Sequence, residues 1–118
     1  MIHLKRVYEP PAEADGRRIL VERLWPRGLT KERAAVDVWL KDVAPSAELR
    51  TWFGHDPAKW AEFQRRYLAE LRDNPEPVRD LRRLVREGPV TLVYAARDEQ
   101  RNGAVVLKAF LQRKSASP

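Results

Sequence analysis

A short stretch rich in arginine and tryptophan, RLWPRG at positions 23–28, directly follows an apolar run. Ordinary surface turns favour Gly, Pro, Asn, Asp and Ser, each for a local backbone reason. Guanidinium groups instead present planar sets of charged donors that match a phosphate or a carboxylate. We therefore interpret Arg23 and Arg27 as candidate anion-binding residues. In the same turn, Trp25 would form a wall of the pocket and Gly28 would complete the ligand-binding loop.

A second candidate set follows the apolar run at 90–96, where Arg97 and Asp98 form a charged turn before the last predicted helix. Asn102 lies in the same region. Tyr94 lies within the apolar run, from which its hydroxyl could reach the site, and the alternative is a buried tyrosine satisfied by hydrogen bonding. In sheets with crossover helices, ligands bind beyond the carboxyl ends of the strands. If the two apolar runs are parallel neighbouring strands, both charged turns open at one edge of the sheet.

A site for a phosphate or carboxylate would form at that edge if three arginines met there beside the free N–H groups of the last helix. These arginines are Arg23, Arg27 and Arg97. An anionic small molecule is therefore the expected partner. The alternative for Arg23 is structural, because buried charges are usually paired. Its candidate partners are Glu22, Asp37 and Asp98.

His55 is the candidate catalytic acid or base, because an imidazole can exchange a proton near neutral pH. Gly-His-Asp-Pro is also an ordinary helix-start sequence, in which Asp56 caps the helix and Pro57 takes its first position. Ser46 is expected to cap another helix, so it does not indicate a serine nucleophile. The sequence has no cysteine, and its two histidines form no helix-spaced ligand pair. We therefore expect no metal site and can name no cofactor.

The chain has 118 residues, with 23 Lys and Arg against 17 Asp and Glu, and a formal charge of +6. This length is typical of one domain, and we predict a single domain over 1–114 with a flexible tail at 115–118. The first residues lack the apolar core of a signal peptide, and no apolar run approaches the roughly 20 residues that span a bilayer. We therefore expect a cytoplasmic protein that does not associate with membranes, of undetermined oligomeric state.

Hydrophobic periodicity predicts strands interleaved with helices, which indicates an α/β fold. We predict one small domain with a short, mostly parallel sheet of about four strands packed with helices. Strands are predicted at 2–8, 19–25 and 90–96. The segment 30–43 is ambiguous and is interpreted as a helical turn followed by a strand. Further helices are predicted at 47–53, from Pro57 to about 72, from Pro77 to a left-handed Gly88, and after Asp98.

A basic face on one predicted helix supports a competing hypothesis, that the protein binds nucleic acid or regulates transcription. Acidic residues interleave with these arginines, and no usual nucleic-acid-binding motif accompanies them. A third hypothesis is a module that acts through a protein partner, which would expose a contiguous apolar patch. The basic face consists of Arg79, Arg82, Arg83 and Arg86.

Four stretches of recognisable sequence together cover nearly the whole chain. They are KRVYEPP near the start, LVERLWPRG at 20–28, WLKDVAPSAELRTWFGHDPAKWAEFQRRYLAEL at 39–71 and VTLVYAARDEQRNGAVVLKAFL at 90–111. These stretches closely resemble the DUF488 (YeaO-like) family of small bacterial proteins, and the Arg-Leu-Trp-Pro-Arg-Gly element is specific. The family is named for having no established function, so the resemblance implies no particular reaction.

The recurrent residues of that family overlap the site described above. One departure is Gly103, because the resemblance leads us to expect Asn-His-Ala where this chain has Asn-Gly-Ala. If that histidine performs chemistry in relatives, the activity here is altered, absent or independent of it. Some relatives carry transcription-regulator labels, which no winged-helix pattern in this sequence supports. The recurrent residues fall on Arg23, Trp25, Pro26, Arg27, Gly28, Trp52, His55, Tyr94, Asp98 and Asn102.

Overall fold

A computed structural model describes residues 1–116, and the side chains of residues 1–113. Its strands are β1 (Ile2–Arg6), β2 (Arg17–Leu20), β3 (Val38–Trp39) and β4 (Val90–Tyr94). They form one sheet in the order β1-β4-β2-β3, in which every neighbouring pair is parallel. The predicted α/β class is confirmed, and the second and last strands, whose adjacency the sequence left open, are parallel neighbours.

Five α-helices within the described residues accompany the sheet, and local sequence signals explain where one of them and the 3₁₀ turn before another begin. The Ser46 hydroxyl accepts the N–H of Leu49 at 3.1 Å, and the Asp56 carboxylate accepts the N–H of Ala58 at 3.0 Å. Both predicted caps are therefore confirmed. The helices are α1 (Lys31–Ala34), α2 (Ala47–Phe53), α3 (Trp60–Arg72), α4 (Pro75–Glu87) and α5 (Gly103–Ala116), with a 3₁₀ turn at Pro57–Lys59 before α3.

Several helix boundaries differ from their predicted positions. α4 begins at Pro75, two residues before the predicted proline, because either proline suits a first helical position and Pro75 comes first. Gly88 has φ 156° and ψ −174°, so the predicted left-handed helical conformation is wrong for it. α5 continues to Ala116, beyond the predicted domain boundary at 114, and 117–118 of the predicted tail lie outside the described residues.

The strands end earlier than predicted, most clearly β2, which ends at Leu20 instead of continuing to position 25. The Val21 N–H still donates to the Val93 carbonyl at 3.3 Å, but β4 ends one residue later. Without further ladder partners the chain leaves the sheet, so the predicted place of Arg23 within the strand is wrong. The ambiguous segment at 30–43 forms α1 followed by β3, as predicted.

Alternating side chains of the strands build apolar layers on both faces of the sheet. On the face covered by α2, α3, α4 and α5, buried strand residues pack with helix residues such as Phe63, Tyr67 and Leu107. On the other face, Val93 belongs to a smaller cluster with α1 and the loop that carries Trp25. The two layers hold the carboxyl ends of β1, β2 and β4 side by side.

A buried ionic network on the second face, which the sequence patterns did not predict, joins the start of β2 to β1. The Arg18 guanidinium donates to the Asp15 carboxylate at 2.9 Å, and Lys5 Nζ donates to the same carboxylate at 3.1 Å. Burial opposes the ionisation of Asp15, yet the Ala12 N–H, Arg18 and Lys5 together lower the pKa of this carboxyl. The carboxylate therefore carries its charge in the folded protein and holds the two strands together.

Candidate functional site

The loops at the carboxyl ends of β1, β2 and β4 surround a pocket of about 710 Å³, which the end of α2 and the start of α5 complete. Small-molecule pockets occupy roughly 300–1,000 Å³, so the cavity has a suitable size. The parallel topology brings the two predicted loops together at one edge of the sheet. The predicted site residues that line the pocket are Trp25, Arg27, His55, Arg97, Asp98 and Asn102.

Arg23 is not among the residues that line this pocket. Its guanidinium donates to the carbonyls of Ala44 and Pro45, each at 3.1 Å. Because β2 ends early, the side chain is directed to the loop before α2, where backbone carbonyls rather than the predicted carboxylates accept its hydrogen bonds. The structure thus brings Arg27 and Arg97, but not Arg23, to the lining of one pocket, and their role in binding a ligand stays a prediction.

Gly28 and Tyr94, the other predicted site residues, lie beside the pocket and outside its lining. Gly28 has φ 81° in the loop after β2. Tyr94 is buried in β4, where burial raises the pKa of its hydroxyl and Asn102 acts in the opposite direction. Its burial agrees with the structural role that a tyrosine within a core strand usually has.

Three exposed arginines, Arg27, Arg50 and Arg97, line the pocket, and we call them the arginine wall. Within the described residues, none of their guanidinium groups forms an ion pair, although other arginines of the chain do. Their charged donors are therefore free for a ligand. Sequence reasoning missed Arg50. Its place in the last turn of α2, just before the loop of His55, was the available signal.

Glu22 places a carboxylate in the pocket, and sequence reasoning considered it only as a partner of Arg23. Its Oε2 accepts the N–H of Ala95 at 2.9 Å, and its backbone carbonyl accepts the indole N–H of Trp39 at 2.7 Å. Burial raises the pKa of Glu22, while the Ala95 N–H and the charge of Arg50 act in the opposite direction. The signal that could have identified it is a carboxyl group directly after a buried apolar run.

His55 lines the pocket with an unusual backbone conformation. Its φ is 58°, and Gly54 before it has φ 52°, so two consecutive residues adopt positive φ. Non-glycine residues in this region are uncommon, and surrounding structure often holds them there at functional sites. The charge of His55 acts on Glu22, which puts an imidazole and a carboxyl in one electrostatic environment. The role of His55 as an acid or base stays a prediction.

Asp98 and Asn102 use their polar atoms to shape the turn that leads into α5. Asp98 Oδ1 accepts two backbone N–H groups of this turn, at 2.9 and 3.0 Å. Asn102 Oδ1 accepts the N–H of Val105 at 3.1 Å and so caps the helix. Gly103 and Ala104 line the pocket, and first-turn N–H groups such as theirs have no acceptor within a helix. An anion in the pocket would therefore meet a helix N-terminus.

Replacing Glu22 by glutamine is expected to stabilise the protein at neutral pH. Because the folded pKa of Glu22 is raised above its ordinary value of 4.5, the folded state binds this proton more tightly than the unfolded state. The unfolding free energy of the wild type therefore falls as pH rises from that ordinary value through the raised pKa. The glutamine variant has no carboxyl to ionise, so its unfolding free energy does not fall with pH for this reason. Its side-chain oxygen can still accept the Ala95 N–H.

Denaturant unfolding of both proteins at about pH 4 and about pH 7 measures this effect, since the two conditions bracket the ordinary carboxyl range. The control is Glu32→Gln on the exposed surface of α1, which removes the same charge away from the pocket. We expect the gain in stability to grow with pH for Glu22→Gln and not for the control. A Glu22→Gln protein that loses stability relative to wild type between the two pH values would contradict the prediction.

The basic face predicted on α4 is partly engaged with the protein itself. The Arg82 guanidinium donates to the Leu111 carbonyl at 3.2 Å and lies over the ring of Phe110, 5.4 Å from its centroid. Arg83 forms an ion pair with Asp80. Two of the four predicted arginines thus have partners within the fold, which reduces the set of charged donors that could follow a phosphate backbone.

The charged groups of the pocket are mainly guanidinium donors, which suit phosphate and carboxylate ligands. Among the residues that the structure describes, no group of three or more His, Asp or Glu side chains could hold a metal ion. None of the described helices combines the length and the apolar character that crossing a membrane requires.

Comparisons with known proteins agree with the resemblance seen in the sequence. A family model described as "Inactive DUF488-N3 subclade" matches residues 1–117. The chain is 42% identical over 111 residues to "Uncharacterized protein YeaO" of Escherichia coli, covering 94% of this chain and 96% of that protein. It is 44% identical over 110 residues to "Uncharacterized protein Rv3073c" of Mycobacterium tuberculosis, covering 93% and 92% respectively. No solved structure matches the chain.

Proposed function

Because this chain belongs to the DUF488 (YeaO-like) family and to its subclade described as inactive, we propose that the pocket binds a small anionic molecule without transforming it. The ligand carries a phosphate or a carboxylate. The observation that carries the proposal is the arginine wall, whose three guanidinium groups line one cavity and form no ion pair with the described residues. Unpaired positive charges around a cavity attract and orient an anion.

The start of α5 supports the same ligand class. Its first residues, Gly103 and Ala104, line the pocket, and a helix N-terminus favours negative charge. Arg27 follows β2, Arg50 lies in α2, and Arg97 lies in the loop that leads into α5, so an anion in the pocket would meet donors from three parts of the chain. Such convergence is typical of specific anion sites.

Gly103 supports binding over catalysis. The family resemblance leads us to expect a histidine at this position, and glycine has no group that transfers a proton. A Cβ at position 103 would lie 3.3 Å from Pro45 Cγ and 3.6 Å from Tyr67 Cε2, so the surroundings are packed closely around a glycine. The loss of an imidazole here agrees with the description of the subclade as inactive.

Calorimetric titration with inorganic phosphate and with phosphorylated metabolites tests the proposal. We expect Arg27→Ala and Arg97→Ala each to raise the dissociation constant by about tenfold or more, because each removes charge-assisted hydrogen bonds. Arg79→Ala is the matched control, since it removes one exposed arginine from α4, outside the pocket. Equal weakening by all three variants would indicate a nonspecific charge effect and contradict the proposed site, as would the absence of binding to wild type.

The alternative functions receive less support. The basic face of α4 has two arginines with partners inside the fold, as described above, which weakens the nucleic-acid hypothesis. The partner-module hypothesis needs a contiguous apolar patch. Tyr8 and Leu24 are large, exposed apolar side chains, but both line the pocket and therefore belong to the proposed binding site.

A further inference from the structure

We propose that the pocket selects a ligand that carries a hydrogen-bond donor, an ammonium or other N–H group, beside its anionic group, and that Glu22 recognises this donor. This inference rests on the proposed function and narrows it to a ligand class. It makes Glu22 a specificity-determining residue, which binds one end of the ligand while the arginine wall binds the other.

The first support is the geometry of the Glu22 side chain. One carboxylate oxygen, Oε2, accepts the N–H of Ala95 at 2.9 Å, and the indole of Trp39 holds the Glu22 backbone at 2.7 Å. A carboxylate accepts about four hydrogen bonds, so Oε1 and part of Oε2 retain acceptor capacity. Glu22 lines the pocket, so these free acceptor positions are open to a ligand. The residue is held in place by one hydrogen bond to its side chain and one to its backbone carbonyl.

The second support is the charge of the pocket. A site that only had to bind a plain anion would be weakened by a carboxylate in the same cavity, because like charges repel. Glu22 shares the pocket with His55 and with Arg50, whose positive charge acts on it. A ligand with charges of both signs resolves this conflict, since its donor meets the carboxylate and its anionic group meets the arginines.

The third support is the apolar part of the lining. Trp25, Phe53 and Phe63 also line the pocket, and the cavity of about 710 Å³ has room for a body that links two polar ends. Apolar walls with a few convergent polar groups are typical of sites that orient a small molecule. The fitting class is therefore a small molecule with a phosphate or carboxylate at one end and an amine or amide N–H near the other.

Two matched probes test the inference, O-phosphoethanolamine and ethyl phosphate, which share a phosphate monoester and differ in the ammonium group. By calorimetric titration, we expect wild type to bind phosphoethanolamine about tenfold or more tightly, because a charged hydrogen bond is added. Glu22→Gln should abolish this preference and bind ethyl phosphate at least as well as wild type does. Its glutamine oxygen can still accept the Ala95 N–H, so the fold is retained, which thermal unfolding checks.

Two control variants distinguish the recognition of a donor group by Glu22 from the binding of an anion by the pocket. Glu32→Gln should leave the preference unchanged, because Glu32 is exposed on α1. Arg27→Ala should weaken both probes alike. Equal affinity of wild type for the two probes overturns the inference and leaves anion binding standing, and a preference that survives in Glu22→Gln overturns the role of Glu22. If neither probe binds to wild type, both the inference and the proposed function are wrong.

Discussion

Replacing Arg18 by methionine is expected to lower the free energy of unfolding by about 3–5 kcal/mol, the effect of removing one partner of a buried ion pair. Arg18 is only 2% exposed. Its guanidinium donates to the Asp15 carboxylate at 2.9 Å and to the Ala34 carbonyl at 2.9 Å. Methionine keeps much of the apolar stem, so the expected loss comes from a carboxylate and a carbonyl left without this donor in the interior.

The neighbouring residue is the matched control for this prediction. Arg17 pairs with Glu87 on the surface, where the two side chains are 48% and 45% exposed. Exposed ion pairs contribute about 0–1 kcal/mol, so Arg17→Met should change stability by no more than that. Denaturant unfolding of both variants gives the comparison. If Arg17→Met and Arg18→Met lose similar amounts of stability, the buried network does not hold β2 in the way described.

Gly16→Ala is expected to lower the free energy of unfolding by about 3 kcal/mol or more, because it combines backbone strain with a steric overlap. Gly16 has φ 62° and ψ −139°, a conformation that residues with a Cβ rarely adopt. A Cβ there would lie 2.2 Å from the Pro89 carbonyl oxygen. That oxygen accepts the N–H of Arg17 at 3.1 Å, so the overlap falls on the first link between β2 and β4.

Gly28→Ala separates strain from overlap. Gly28 has φ 81°, but no atom lies within 4 Å of the position that its Cβ would take. Strain alone amounts to roughly 1–2 kcal/mol for a residue forced into the left-handed region. Thermal or denaturant unfolding should therefore rank Gly16→Ala as clearly more destabilising. Equal losses for the two alanine variants would show that the close approach to Pro89 is relieved without a large rearrangement.

Both predicted stability losses bear on the candidate site, although Arg18 and Gly16 lie away from the pocket. They fix the register of β2 against β4, in which Arg17 pairs with Val90 and Leu20 pairs with Val93. That register determines that Glu22 meets the N–H after β4 and that the loops after the two strands face one cavity. A shift of β2 would therefore move Glu22 and Arg27, which follow β2, away from Arg97, which follows β4, even if the helices stayed in place.

Features that depend on nearby residues could be predicted from the sequence. The caps at Ser46 and Asp56 act within three residues, so their local spacing identifies them. The apolar run of β4 indicates a strand covered on both faces, which in turn indicates a parallel sheet and a binding edge at its carboxyl end. These patterns placed Arg27 and Arg97 after strand ends, and the pairing of β2 with β4, which the sequence left open, brings both to one pocket.

Features that depend on distant partners were decided only by the tertiary structure. The Glu22 carboxylate is held in the pocket by the N–H of Ala95, which is 73 residues away in the chain. The Arg23 guanidinium instead binds backbone carbonyls 21 and 22 residues away, which keeps it out of the pocket lining. No sequence pattern distinguishes Arg18 from the other arginines of this basic chain, and only the folded sheet buries it beside Asp15. A side chain of this length can reach many acceptors, and only packing selects among them, because burial makes an unpaired charge unfavourable and so requires a particular partner.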